Sequence, residues 1–384
     1  MPRYGVARMR IALVRGSNLN PWELSNFELL DHVSAFASRS TLQPITGMQI
    51  PVHRMLSPAD ALRPLPALVR GGVLRFSGSA DYLIGLEHAL RGFDVAHVAE
   101  LANPYSLQAV RARRRGDCRR VVATVWENIA LPPAANAATR RRMQAVAEGV
   151  DAFLAITDDA RLHLELAGVP PGRIEVFPMG IDLDRFVAAE RAQRDGPLRV
   201  LSVSRLVSEK GVEDLVVAAR LLSDRGVDAE VTVVGTGPLE GRLRSMADQL
   251  GVSGRFHVAG SVPYDRIPAL LRDSDVFVLA SAPRATWREQ FGFAVVEAMA
   301  AGLPVLAGNS GSLDEVIGDP DALVKPHDPV ALATGLEELA GHPELRRERG
   351  AANRARAEQL YDRRLAAQRM SELYERVLSV PAHA

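Results

Sequence analysis

At 384 residues the chain is too long for one ordinary hydrophobic core and long enough for two α/β domains. Apolar residues make up 47% and charged residues 24%, which excludes a disordered or fibrous chain. Lys plus Arg and Asp plus Glu both number 46, a balance that argues against a protein built to neutralise nucleic-acid phosphates. Cys118 is the single cysteine, so an intrachain disulfide and a cysteine-based metal cluster are excluded and a reducing compartment, by default the cytoplasm, is expected. No basic stretch followed by a continuous apolar one opens the chain, and no apolar run approaches the ~20 residues that span a bilayer. Any membrane contact is therefore expected to be peripheral, at the inner face.

Apolar β-type runs alternate with helix-length segments, the pattern of parallel sheets covered by helices on both faces, so the fold class is α/β. In the first half strands are expected at 9–14, 93–98, 120–125 and 152–156, and helices over 23–37 and 134–148. Residues 40–78 are rich in Pro and poor in periodicity, and no element is placed there. A polar stretch with Gly and Pro at 191–197 reads as a linker. After it come cleaner strands at 198–203, 230–234, 255–258, 276–279 and 304–307. The stretch 343–378 is helical and heavily charged. These boundaries divide the chain into an N-terminal domain over 1–190, the linker, a C-terminal domain over 198–360 and a final helix within 361–384 that could pack back on the first domain.

Three segments carry chemistry. The first is EQFGFAVVEAMAAG, 289–302, with Glu289 and Glu297 eight positions apart and Gly302 and Pro304 as a helix stop. A helix starting near Gly292 turns its free amides and positive dipole end toward whatever lies beside Phe291, Gly292 and Phe293, which makes an anion site. Glu297 has only apolar neighbours in the run, so its carboxylate needs donors: ribose hydroxyls, or a partner within the protein, the commoner case for an isolated helical Glu. The second segment is SRLVSEKGVEDL, 204–215. Arg205 and Lys210 fall in a strand-to-helix loop, where doubly wound sheets bind ligands, and two cations there suit a diphosphate. The only lysines are Lys210 and Lys325, in a chain whose other long basic side chains are arginines. The third, VVGTGPLEGRL at 233–243, places Gly235 and Gly237 in a βα turn that either holds phosphate or simply turns. Gly16, directly after the first strand, has the same two readings.

Taken together these segments resemble the retaining family-4 glycosyltransferases of GT-B fold, across nearly the whole C-terminal half. The E-x7-E pattern of that family matches Glu289 and Glu297, its Arg and Lys match Arg205 and Lys210, and its GxGP matches 235–238. PMGID at 178–182 resembles its PNGVD segment, with Met179 where Asn is usual. The resemblance implies two Rossmann-like domains facing each other across a cleft, acceptor side first and nucleotide-sugar side second. It also implies a UDP- or GDP-sugar as substrate, no cofactor, no metal, and transfer of a hexosyl group with retention to a hydroxyl of a small molecule, saccharide or lipid. Arg205, Lys210 and Glu289 then carry catalysis; Gly16, Gly235, Gly237, Phe291, Gly292, Phe293 and Glu297 hold the donor.

The N-terminal half resembles the family less. FDVAHVAE and VVATVWEN match segments at the ends of its middle strands, where many members carry a His near the sugar; here Trp126 and Glu127 stand there. His97 is either a cleft residue or a packed histidine, and Trp126 either an acceptor-facing plane or core. His97, Trp126 and Glu127 are the acceptor-side candidates. The arginines of 111–120 and 140–142 form either a solvated face or a patch for anionic membrane or a phosphorylated acceptor, with no nucleic-acid motif beside them. Two rivals stand. One is a catalytically silent sugar-nucleotide-binding subunit, suggested by Trp126; the other is a GT-B epimerase or phosphorylase, the latter needing a Schiff-base lysine from only two.

Overall fold

Long apolar runs become strands where a parallel sheet is buried on both faces. The computed structural model describes residues 9–42, 44–45, 48–62, 81–129, 136–187 and 196–381. The chain divides into two compact units, 1–181 with 363–384, and 182–362. Of the expected linker at 191–197, only Gly196 and Pro197 lie among the described residues.

The first unit holds seven strands: β1 (Ile11–Gly16), β2 (Val33–Ser38), β3 (Val52–Met55), β4 (Phe93–Ala99), β5 (Cys118–Val125), β6 (Ala152–Ala155) and β7 (Ile174–Val176). They lie in the order β3-β2-β1-β4-β5-β6-β7 with every pair parallel. The helix expected over 23–37 is a correction. Asn20 caps a helix at Pro21–Phe27, its side chain accepting from the Glu23 N–H at 2.9 Å, and the helix ends after two turns. The chain turns through His32 at φ 56° and enters β2, whose Val33 pairs with Ile11. The Ala-rich run VSAFAS is buried on both faces, so it lacks the alternation that would have marked a strand. In the Pro-rich region the described part contains β3 and a single turn of helix, Pro58–Ala61, closed by a Ser57/Asp60 capping box.

The second unit holds β8 (Leu198–Val203), β9 (Ala229–Val234), β10 (Phe256–Gly260), β11 (Val276–Leu279), β12 (Val305–Gly308) and β13 (Leu323–Val324), ordered β10-β9-β8-β11-β12-β13 and again parallel. Helix Val212–Asp224 buries Val212, Leu215, Val216, Ala219 and Leu222, the one-face spacing of an amphipathic helix on a sheet. The charged C-terminal stretch is two helices rather than one. Pro343–Leu360 belongs to the second unit, and Arg363–Ser379 to the first, where Met370, Leu373 and Tyr374 are buried.

Each sheet reverses its strand order next to its own first strand, between β1 and β4 and between β8 and β11. Outside the carboxyl ends of strands at such a reversal lies the crevice where open α/β sheets bind ligands.

Candidate functional site

In the second unit the loops after β8 and β9 are locked together by backbone. The Leu206 N–H donates to Thr236 O at 2.9 Å and the Leu239 N–H to Leu206 O at 3.1 Å. The approach is so close that a Cβ on Gly235 would lie 1.8 Å from Ser204 O, and one on Gly237 2.3 Å from Leu206 O. Both glycines are needed for this contact, which fixes the loop carrying Arg205 and Lys210.

Lys210 sits at the end of a single 3-10 turn, Ser208–Lys210, and projects to the loop after β11. Its Nζ lies 2.5 Å from Glu289 Oε2 and 4.9 Å from the centre of the Trp287 ring. The Ser281 hydroxyl donates to the same Glu289 oxygen at 2.8 Å. Trp287 is presented by a tight hairpin in which the Arg284 N–H donates to Trp287 O at 2.7 Å. The Glu289 main chain is tied to the loop after β12, its N–H to Ser310 Oγ at 3.4 Å and its carbonyl accepting from Ser312 at 3.1 Å. Lys210 and Glu289, 79 positions apart, thus meet at the β8/β11 reversal. Arg205 is on the same loop, with a side chain 64% exposed and 3.7 Å from Glu209.

Helix Phe293–Ala300 starts at Gly292, whose φ of 77° favours glycine and whose missing side chain leaves this end without a side-chain cap. Phe291 is buried edge-on against Phe293 at 5.1 Å and Tyr361 at 5.6 Å, so its role in the structure is to anchor the start of the helix. Glu297 is 5% exposed, and its Oε1 accepts from the Tyr264 hydroxyl at 2.6 Å. Burial pushes the Glu297 carboxyl up to about 7, while the Tyr264 hydrogen bond and then Arg185 pull it down. Arg185 covers the Tyr264 ring at 4.7 Å and pairs with Asp265 at 2.6 Å. Nothing in the sequence pattern marks Tyr264, Ser281, Trp287 or Ser310; the fold brings Tyr264 to Glu297, Ser310 to Glu289 and Trp287 to Lys210.

The first unit's reversal is filled differently. A Cβ on Gly16 would meet Asp81 Oδ1 at 2.8 Å and Tyr105 Cε1 at 2.9 Å, so protein occupies the space beside it. His97 is fully buried, with Nδ1 2.5 Å from the Tyr374 hydroxyl and Nε2 2.7 Å from Thr124 Oγ1. Burial, then Arg15, holds its pKa well below the usual histidine range. Its ring is packed in the core, with both nitrogens engaged by hydroxyls. Trp126 is half-buried, and its main-chain N–H donates to Glu100 Oε1 at 2.8 Å. Glu127 accepts from the Asn128 and Ile129 N–H groups at 3.1 and 3.0 Å, so it caps its own loop. Near PMGID, the Asn26 side chain donates to Gly180 O at 2.9 Å and accepts from the Gly180 N–H at 2.7 Å, while Met179 is buried. An asparagine from the first helix thus holds this segment where the usual local one is missing.

Much of the basic run is neutralised locally. Arg113 pairs with Asp151, Arg115 with Glu87 and Asp117, and Arg119 with Asp94, while Arg120 donates to Val377 O. Among the described residues, no three His, Cys, Asp or Glu side chains gather as a metal-binding set, and no helix is long and apolar enough to cross a membrane.

Two doubly wound parallel sheets, one with a cation–carboxylate cluster at its reversal, define a scaffold of the GT-B type. The family described as "Glycosyl transferases group 1" matches residues 185–356, and "Glycosyltransferase Family 4" matches 49–185. The chain is 30% identical over 287 residues to a GDP-mannose-dependent alpha-(1-6)-phosphatidylinositol monomannoside mannosyltransferase of Mycolicibacterium smegmatis, covering 71% of this chain and 74% of the relative. It belongs to glycosyltransferase family 4. It is also 31% identical over 242 residues to the colanic acid biosynthesis glycosyltransferase WcaL of Salmonella typhimurium, aligning with 62% of this chain and only 59% of that relative's length. Among solved structures, Anabaena Alr3699/HepE in complex with UDP superposes with TM-score 0.75 at 19% identity, over 96% of this chain and all of the other. The sucrose-phosphate synthase of Thermosynechococcus elongatus gives 0.72 at 20% identity, over 97% of this chain. These two likenesses carry the fold.

Proposed function

We propose that the chain is a cytoplasmic hexosyltransferase that binds a UDP- or GDP-sugar on its second unit and passes the sugar to a hydroxyl acceptor with retention, without a metal. The observation that carries this reading is the Lys210–Glu289 pair at the β8/β11 reversal, beside the start of the helix at Gly292. Lys210 and Arg205 meet the diphosphate and stabilise the charge that grows on it as the C1–O bond breaks. Amides of 291–293 add the dipole of the helix end. Glu289 orients sugar hydroxyls, and Glu297 accepts from the ribose. The acceptor oxygen bonds to C1 on the face the diphosphate leaves, and its proton passes to the departing phosphate oxygen, so no protein nucleophile is required. Protein cations take the place of a divalent ion. The donor class draws support from the mycobacterial relative, named for GDP-mannose, and from the Anabaena structure, solved with UDP. The acceptor class is a saccharide or lipid-linked hydroxyl.

A panel of nucleotide sugars screened by thermal stabilisation identifies the donor, since ligand at 100 Kd adds ~2.7 kcal/mol. NMR of early product made from that α-linked donor in excess chelator is then expected to show an α-linkage. A β-linked product overturns retention, and rescue only by added divalent ion overturns the role given to Lys210 and Arg205.

A further inference from the structure

Glu297 is held on a short helix whose other residues, FAV, V and AMA, carry no charge or side-chain donor. Its carboxylate is 5% exposed, and among the described residues its only hydrogen-bond partner is the Tyr264 hydroxyl on Oε1. The phenol is a firm donor here: burial first, and then the charge of Glu297, push its pKa far above the ordinary tyrosine value. Tyr264 itself is clamped, its ring under the Arg185 guanidinium at 4.7 Å and that guanidinium anchored by Asp265. A carboxylate with one oxygen fixed by a clamped donor has its plane fixed as well, which leaves Oε2 as an acceptor in a set direction. We infer that Tyr264 is a positioning residue: by holding Oε1 it aims Oε2 of Glu297 at the ribose 2′-hydroxyl of the nucleotide. The inference rests on the donor-site reading above and adds to it a residue outside every motif in the sequence. A hydrogen bond to a charged acceptor is worth roughly ten- to hundredfold in affinity, so its loss on aiming is measurable.

The experiment is calorimetric titration of the wild-type protein and Tyr264→Phe with UDP, GDP and their 2′-deoxy forms. Phe keeps the ring under Arg185, and melting curves check that the fold is retained. In the wild type the preferred ribonucleotide is expected to bind about tenfold more tightly than its 2′-deoxy form. In Tyr264→Phe that ratio is expected to fall to about threefold or less, with the 2′-deoxy form binding much as before. A merely structural loss would weaken both forms equally and leave the ratio standing, which overturns the inference while the donor reading survives. Tighter binding of the ribonucleotide by Tyr264→Phe also overturns it, because the phenol would then be competing with the ribose for Glu297. If neither UDP nor GDP binds the wild type, the donor reading falls and takes this inference with it.

Discussion

At the end of β1, Arg15 is 1% exposed, with its guanidinium 2.7 Å from Glu23 Oε1 and donating to the carbonyls of Val14 and His97. At the end of β8, Lys210 keeps 13% of its side chain exposed and meets a carboxylate from another strand's loop, under an indole face. The two sheets share a reversal beside their first strand, yet one reversal is knitted into the core and the other is left partly open. Topology alone therefore does not make a ligand site; the side chains must also leave their charges within reach of a solute. In the first unit Tyr374 of the C-terminal helix lies against His97, which seals the position from within. In the second, the only partner of Glu297 among the described residues is one phenol.

The largest effect that sharpens this contrast is expected from Arg15→Ala. It leaves Glu23 buried without its counter-charge, and breaking such a pair costs about 3–5 kcal/mol. Denaturant titration should show that loss, while the folded fraction binds nucleoside diphosphate as tightly as the wild type. A selective loss of binding at unchanged stability would move a functional charge to the first unit. Lys210→Ala is expected to do the reverse: turnover falls by ~100- to 1000-fold, the usual result of removing one stabiliser of developing negative charge. Steady-state kinetics checks it, and wild-type rates would remove Lys210 from the chemistry.

Glu297→Gln is expected to cost ten- to hundredfold in donor affinity, about 1.5–3 kcal/mol. Its stability should respond to pH in the opposite sense. A carboxyl raised from its ordinary value of 4.5 to about 7 by folding contributes stability that is present below 4.5 and lost as pH rises through 7. The variant should therefore gain stability relative to the wild type across that window, seen as a widening difference in melting temperature. A variant that melts far lower at every pH and binds donor normally would make Glu297 structural. The smallest effect belongs to Trp287→Leu. A half-exposed cation–π contact is worth roughly 0.5–2 kcal/mol, so diphosphate affinity should weaken by about two- to thirtyfold and Trp287→Phe should restore most of it. Equal affinities in all three proteins would show that the indole does not support Lys210.

How much of this was legible in the sequence follows the same division. The five strands expected in the second unit appear within two residues of their observed ends, because each is a short β-branched run bounded by turn residues. β7 and β13, with three and two residues, are too short to form a pattern, and β2 was lost because Ala and Ser carry helix-like composition into a buried strand. Glu289, Lys210 and the start of the helix at Gly292 were legible because spacing and glycine placement are local. Tyr264 was not, since a hydrogen bond between residues 33 positions apart leaves no mark in either segment, and Ser281, eight positions before Glu289, shows no pattern that ties its hydroxyl to that carboxylate. His97 could be read two ways because a buried and a cleft histidine have the same apolar neighbours; only the Thr124 and Tyr374 hydroxyls distinguish them.

The most direct test of the contrast between the two reversals is titration of UDP and GDP into the wild type, Lys210→Ala and His97→Phe in the presence of chelator. At least one diphosphate is expected to bind the wild type, Lys210→Ala to lose most of that affinity, and His97→Phe to retain it. Affinity lost in His97→Phe and kept in Lys210→Ala would contradict the contrast.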